Sequence, residues 1–341
     1  MRRQVLWTGM LLLILLAGAL APVSAQDGDG LSDVELAMLE EVRAALDGYL
    51  ASETYTATLT QTLNQTMTIN FQGQTITLTQ AVIGTGGTQF QRAPENVYDN
   101  QQTVITQVIE QTLTGLGQNN TGSTSLEVEL RVVDDAIYMR MTDPTDQLGV
   151  LPEGWQNITQ DASAFPGLDL INVDEMMGFS TAMSRNTDSG AILAAVTAVD
   201  DLGEDTAGNV PVQRYRLTLS VAEAVDALGM DNIENMFSAA DMPFDVEGLL
   251  AAMYDGENTS FNIDVAISTQ DQTLVEFTQL MVTDMEIGPE LILDPALAGA
   301  TMTLVQDYEV TYTIDYAAPV EILVPDLSAD TAAPEDESAA N

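Results

Sequence analysis

From Thr54 onward, apolar side chains recur at alternate positions. Tyr55, Ala57, Leu59, Leu63, Met67 and Ile69 share one phase, with Thr, Gln and Asn in the other. A period of two is the pattern of a β-strand with one face buried. The run exceeds the usual strand length, which predicts a long strand that is bent or bulged. The alternation returns at Ile76, Leu78 and Val82, at Leu126, Val128, Leu130 and Val132, and at Ile137, Met139 and Met141 after an Asp134-Asp135 turn. Later runs hold Tyr215, Leu217 and Leu219, then Phe261, Ile263, Val265 and Ile267, then Val275, Phe277 and Met281, and finally Tyr308 to Tyr316. These runs predict at least eight strands, several paired as hairpins, in a largely antiparallel sheet with one apolar face.

A different period marks the helices. Ser32 can cap a helix running from Asp33 to about Leu50, with Glu35 at capping-box spacing and Leu36, Leu39, Val42 and Leu46 along one side. Helical segments are also expected near 174–184, 189–199, 221–240 and 245–254. Together with the sheet they predict an α+β layout. Gly115 to Ser125 reads as a polar loop, and Asp326 to Asn341 as an acidic, Ala-rich, disordered tail. No internal repeat stands out.

Residues 1–25 have the organisation of a signal peptide. Arg2 and Arg3 form the positive region, Leu11 to Leu16 the apolar core, and Val23-Ser24-Ala25 the cleavage site, so a mature chain beginning at Gln26 is expected. Export to the periplasm, the cell envelope or the exterior follows from this reading.

Composition narrows the chemistry. The 341 residues contain no His and no Cys, and all nine basic residues are Arg. A thiolate nucleophile, an imidazole base, an ordinary zinc site and Schiff-base chemistry are therefore excluded. The absence of Cys also excludes a lipid anchor on that residue and any disulfide support. Against nine Arg stand 52 Asp and Glu, for a net charge of −43; loss of the leader removes two Arg and no acid, leaving −45. Such a field repels phosphate backbones and anionic headgroups, which excludes nucleic acid and electrostatic docking on membranes as partners. The acids are scattered in the manner of a solvated surface. Asp27-Gly28-Asp29-Gly30 lacks the remaining ligands of a calcium loop. The Asn-x-Ser/Thr matches at Asn64, Asn119, Asn157 and Asn258 are expected by chance in so Thr-rich a chain. Arg131, Arg140, Arg214 and Arg216 fall in the strands, where pairing with carboxylates is expected.

Seven of the 16 methionines lie between 176 and 253. Met is flexible and polarizable, so a Met-rich apolar surface can repack around varied ligands as readily as it can fill a core.

Several stretches resemble a known family. Ala136-Ile-Tyr-Met-Arg-Met141, Leu151-Pro-Glu-Gly-Trp155, Leu202 to Leu219, and Tyr312 to Pro325 with Pro319-Val-Glu-Ile322 are similar to segments of the LolA/LppX-like (LppX/LprAFG-type) extracytoplasmic lipid carriers. The order of elements is similar too. The resemblance implies a curved antiparallel half-barrel whose helices cover the concave face and enclose a hydrophobic cavity for acyl chains. It also implies a single domain over 26–325, with 221–256 as an enlarged helical segment. Many such carriers have an N-terminal Cys that this chain lacks, so membrane tethering does not carry over.

The candidate cavity residues are Tyr55, Leu59, Leu63, Met67, Leu78, Val128, Leu130, Met139, Met141, Trp155, Met176, Met177, Phe179, Met183, Leu217, Met236, Phe237, Met253, Phe277 and Tyr312. Trp155 has a second reading, as a packing anchor at a strand-to-loop junction. No catalytic residue, cofactor or metal ligand is assigned. The expected partners are a lipid or other apolar small molecule and an envelope protein that delivers or accepts it. Two other functions stay open: an acidic, non-catalytic surface or signalling module with a filled core, and a hydrolase using two carboxylates.

Overall fold

The computed structural model describes residues 31–115, 118–143, 154–160, 193–220, 259–292 and 298–327, together with Asp245 and Gly248. Its framework is one antiparallel sheet of 11 strands. In chain order these are β1 (Thr54–Phe71), β2 (Gln74–Gln91), β3 (Asn100–Gly115), β4 (Gln118–Val133), β5 (Ala136–Thr142), β6 (Gln156–Asn157), β7 (Val196–Ala207), β8 (Val210–Leu219), β9 (Ser260–Ser268), β10 (Leu274–Ile287) and β11 (Thr301–Asp315). Across the sheet the order is β6-β5-β4-β3-β2-β1-β11-β10-β9-β8-β7. Two up-and-down runs are thus joined where the first strand meets the last, and β6 and β7 are the edges among the described residues.

Turn chemistry sets the register. Gln72 and Gly73 (φ 52° and 76°) close the β1–β2 hairpin, and Asp134 and Asp135 (φ 52° and 63°) close β4–β5. Two left-handed residues in a row make the type I′ turn, whose twist matches that of the flanking strands. Asp135 is held there by its own carboxylate, which accepts from the backbone N–H groups of Val97 (2.6 Å) and Tyr98 (3.1 Å).

One α-helix is described in full, α1 (Asp33–Leu50). Ser32 caps it and Glu35 returns a bond to the cap, so the predicted capping box is present. Leu39, Val42, Ala45 and Leu46 bury its apolar side against Val199, Leu217, Val265 and Ile314 of the sheet.

Among the described residues the class is therefore mostly β rather than α+β. The expected helices at 174–184, 221–240 and most of 245–254 lie outside the described residues, as do 1–25 and nearly all of the acidic tail. Of the segment expected as helix 189–199, residues 189–192 lie outside the described residues, Leu193 and Ala194 are helical, and 196–199 are corrected. Val196–Val199 belong to β7, where β-branched residues pair with β8 through a register shift that hides the alternation. Two further corrections concern polar strands. β3 went unpredicted because Gln and Thr interrupt its apolar phase. The presumed loop Gly115–Ser125 is mostly β4, in which Thr112 of β3 and Thr121 face each other with hydroxyl oxygens 3.3 Å apart. A strand needs a partner before it needs a hydrophobic face, and that hairpin supplies one.

Candidate ligand-binding face

The strand registers place the predicted residues on a single side of the sheet. Leu59 stands opposite Tyr312, which stands opposite Phe277; Leu63 pairs with Val82 and Tyr308; Met67 pairs with Leu78 and Leu304. On the far strands, Val128 pairs with Met141 and Leu130 with Met139, in the same phase. Tyr55, at the start of β1, and Leu217, on β8, share that side. Twelve of the proposed residues thus lie together. Met176, Met177, Phe179, Met183, Met236, Phe237 and Met253 lie outside the described residues.

Trp155 does not join the group. Its ring packs under the guanidiniums of Arg131 and Arg140, at 4.6 and 5.3 Å, and these arginines point to the opposite side of β4 and β5. There Glu129, 5% exposed, accepts from Arg131 Nη2 and Arg140 Nη2, each at 2.8 Å, and from Gln102 Nε2 at 3.0 Å. The extended chain after β11 crosses this side, with Arg131 Nη1 donating to the carbonyl of Leu323 and Ile322 packed on Tyr138. Arg214 pairs likewise with Asp205 and Glu276, and Arg216 with Asp264. The strand arginines therefore serve the polar side as ion-pair partners.

The apolar side has distinct zones. Near α1 it is aromatic: Tyr55 stacks on Phe90 (5.0 Å) and Phe277 on Tyr312 (4.7 Å), with Tyr49 of the helix against Tyr55 and Phe277. Burial raises the hydroxyl pKa of Tyr49, Tyr55, Tyr308, Tyr312 and Tyr316. A central zone holds Leu59, Leu63, Val82, Ile109, Tyr308 and Val310. A distal zone holds Met67, Leu78, Met285, Ile287, Met302 and Leu304.

Between the central and distal zones runs a row of polar side chains that the sequence reading missed. Gln80, Gln65, Gln306 and Thr283 stand opposite one another on β2, β1, β11 and β10, all at 6% exposure or less. A second, interrupted row contains Gln107, Gln61 and Gln279. The signal was present in the alternation, since Gln61 and Gln65 occupy the apolar phase of β1 and break it at intervals of four. Gln107 Nε2 donates to Gln61 Oε1 at 3.4 Å, but Gln107 Oε1, Gln80 Nε2 and Thr283 Oγ1 are buried without a hydrogen-bond partner. Each such orphan costs about 1–3 kcal/mol. No Asp, Glu or Arg occupies this side on β1 to β5 or on β8 to β11.

An open groove of about 480 Å³ lies along β1 to β4, lined mainly by polar-side residues including Asn64, Thr66, Thr79, Glu110, Thr112 and Thr121, and also by Gln65 and Gln80 of the row. Its lining suits water and polar groups rather than an acyl chain. Among the described residues no group of three or more acidic side chains is arranged to hold a metal, and no helix is long and apolar enough to cross a membrane.

No protein-family profile and no curated protein matches the chain. Among solved structures it is similar to the lipoprotein LppX of Mycobacterium tuberculosis, at 12% identity over 85% of this chain and 100% of that one, with a TM-score of 0.32. LprF from Mycobacterium bovis is similar at 11% identity over 85% and 97%, with a TM-score of 0.35. A DUF1329 family protein from Desulfovibrio piger is similar at 8% identity over 85% and 96%, with a TM-score of 0.21. Scores at this level leave any functional reading to the chain's own geometry.

Proposed function

We propose that this chain is an exported, non-catalytic protein that binds a lipid or other apolar molecule against the apolar side of its sheet. The observation that carries the reading is the continuous uncharged surface from β5 through β8, with helix α1 closing one end. Burying an acyl chain there is worth about 0.8 kcal/mol per methylene before ordering costs, so binding requires no reactive group. The half-barrel curvature, the enclosed cavity and the adaptable wall formed by the Met-rich stretches 176–183 and 230–253 belong to this proposal. So do release outside the cytoplasm after cleavage near Ala25 and exchange of the cargo with an envelope protein.

The test is native mass spectrometry of the purified full chain after incubation with an envelope lipid extract. A mass increment corresponding to an extractable lipid is expected. A protein that stays ligand-free under those conditions overturns the reading.

A further inference from the structure

The polar rows are costly features on an otherwise apolar surface, and their chemistry is specific. Gln80 Nε2 is a donor without an acceptor, Gln107 Oε1 an acceptor without a donor, and Thr283 Oγ1 can act as either. All three belong to side chains at least nine-tenths buried: Gln80 is 6% exposed, Gln107 0% and Thr283 1%. Buried polar groups in folded proteins are as a rule paired, so these three of the seven buried side-chain atoms without a hydrogen-bond partner among the described residues, all three on the uncharged side of the sheet, call for a partner. They are also neutral, and among the described residues strands β1 to β5 and β8 to β11 place no cation on this side to balance a phosphate or carboxylate.

Resting on the apolar-carrier reading, we infer that the glutamine rows form a recognition site for an uncharged amphiphile bearing hydroxyl or amide groups within its chain. A pure hydrocarbon would leave every orphan unpaired. An ester or ether offers acceptors alone and cannot satisfy Gln107 Oε1. A hydroxyl or a secondary amide both donates and accepts, and so can pair with either kind of orphan, one group for each row. The hydrocarbon on either side of that group would lie on the central and distal apolar zones, which the Gln80–Gln65–Gln306–Thr283 row separates.

The preference runs against ordinary partitioning, in which an added hydroxyl weakens burial. Displacement of Nile red from the full chain by methyl stearate and by methyl 12-hydroxystearate separates the two cases. The hydroxylated ester is expected to bind about tenfold more tightly, the gain of one well-made hydrogen bond to a buried group. A triple variant, Gln80→Leu with Gln107→Leu and Thr283→Val, is expected to lose that preference, and its ligand-free melting temperature should rise as the orphans are removed. Equal or tighter binding of methyl stearate to the native chain overturns the inference and leaves the carrier reading standing. A triple variant that melts lower, or the single Gln80→Leu variant melting lower if the triple does not fold, also overturns it, because the row would then be holding the fold. If neither ester displaces the dye, the inference and the carrier reading fall together.

Discussion

The hydroxyl of Tyr49 on α1 donates to the hydroxyl of Tyr55 on β1 at 2.9 Å, which fastens the end of the helix to the first strand of the sheet. Both rings lie in the aromatic zone with Phe90, Phe277 and Tyr312, and desolvation dominates the raised pKa of each.

Those tyrosines are expected to limit the fold at alkaline pH. A phenol whose pKa is higher in the folded than in the unfolded chain holds its proton longer when folded. Its stabilising contribution is complete below the unfolded value of about 10 and declines as pH rises above it. Tyr49, Tyr55, Tyr215, Tyr308, Tyr312 and Tyr316 all shift in that direction. Tyrosinate absorbance near 295 nm and the β-sheet circular dichroism signal are therefore expected to change together above pH 10. Full ionisation of these residues with the sheet signal intact would contradict the burial.

Glu129 should be the most sensitive ion-pair position. Replacing it with Ala leaves Arg131, Arg140 and Gln102 without their shared acceptor beside Trp155. Because the two arginine side chains are 21% and 34% exposed, water recovers part of the loss. A destabilisation of about 2–3 kcal/mol in urea unfolding is expected, below the range for a fully buried pair. Glu40→Ala, whose partner Arg43 lies 3.5 Å away on the helix surface, should cost about 0.5 kcal/mol or less.

Gly86 is required for strand packing and not for its backbone angle. A Cβ placed there would lie 2.1 Å from the Val104 carbonyl oxygen on β3, and backbone cannot swing aside as a flexible side chain can. Gly86→Ala is expected to destabilise by about 3 kcal/mol or more, or to prevent folding, as read by urea unfolding. Gly73, which meets nothing within 4 Å, has the opposite constraint: its φ of 76° makes Gly73→Ala costly through strain, by about 1 kcal/mol.

The helix cap offers a smaller effect of known sign. Ser32→Ala removes the acceptor for the Glu35 N–H and one partner of the Glu35 carboxylate. A loss of about 1 kcal/mol is expected in thermal or urea unfolding, with Ser32→Asp close to neutral.

Local patterns fixed much of this architecture in advance. The limits of α1 followed from Ser32, Glu35 and an apolar stripe, because capping and helical periodicity are written in adjacent residues. The strands around Leu59, Val128, Leu217 and Phe277 were legible for the same reason: each alternates within itself, and that alternation alone put the twelve described candidates on one side of the sheet. Other elements depend on partners distant in the chain. β3 and the start of β4 are strands because Thr112 and Thr121 face each other, and Val196–Val199 pair with β8 despite a helical spacing. Trp155 had two readings, cavity residue or packing anchor, and only the registers of β4 and β5 decided between them, by turning Arg131 and Arg140 to the polar side, where the ring packs against them. The glutamine row shows the difference most plainly. In the sequence Gln65, Gln80 and Gln306 are three glutamines among many polar residues, 241 positions apart at the extremes. Only the pairing of β2, β1 and β11 aligns them, since hydrogen-bonded strands lie about 4.8 Å apart whatever the length of chain between them.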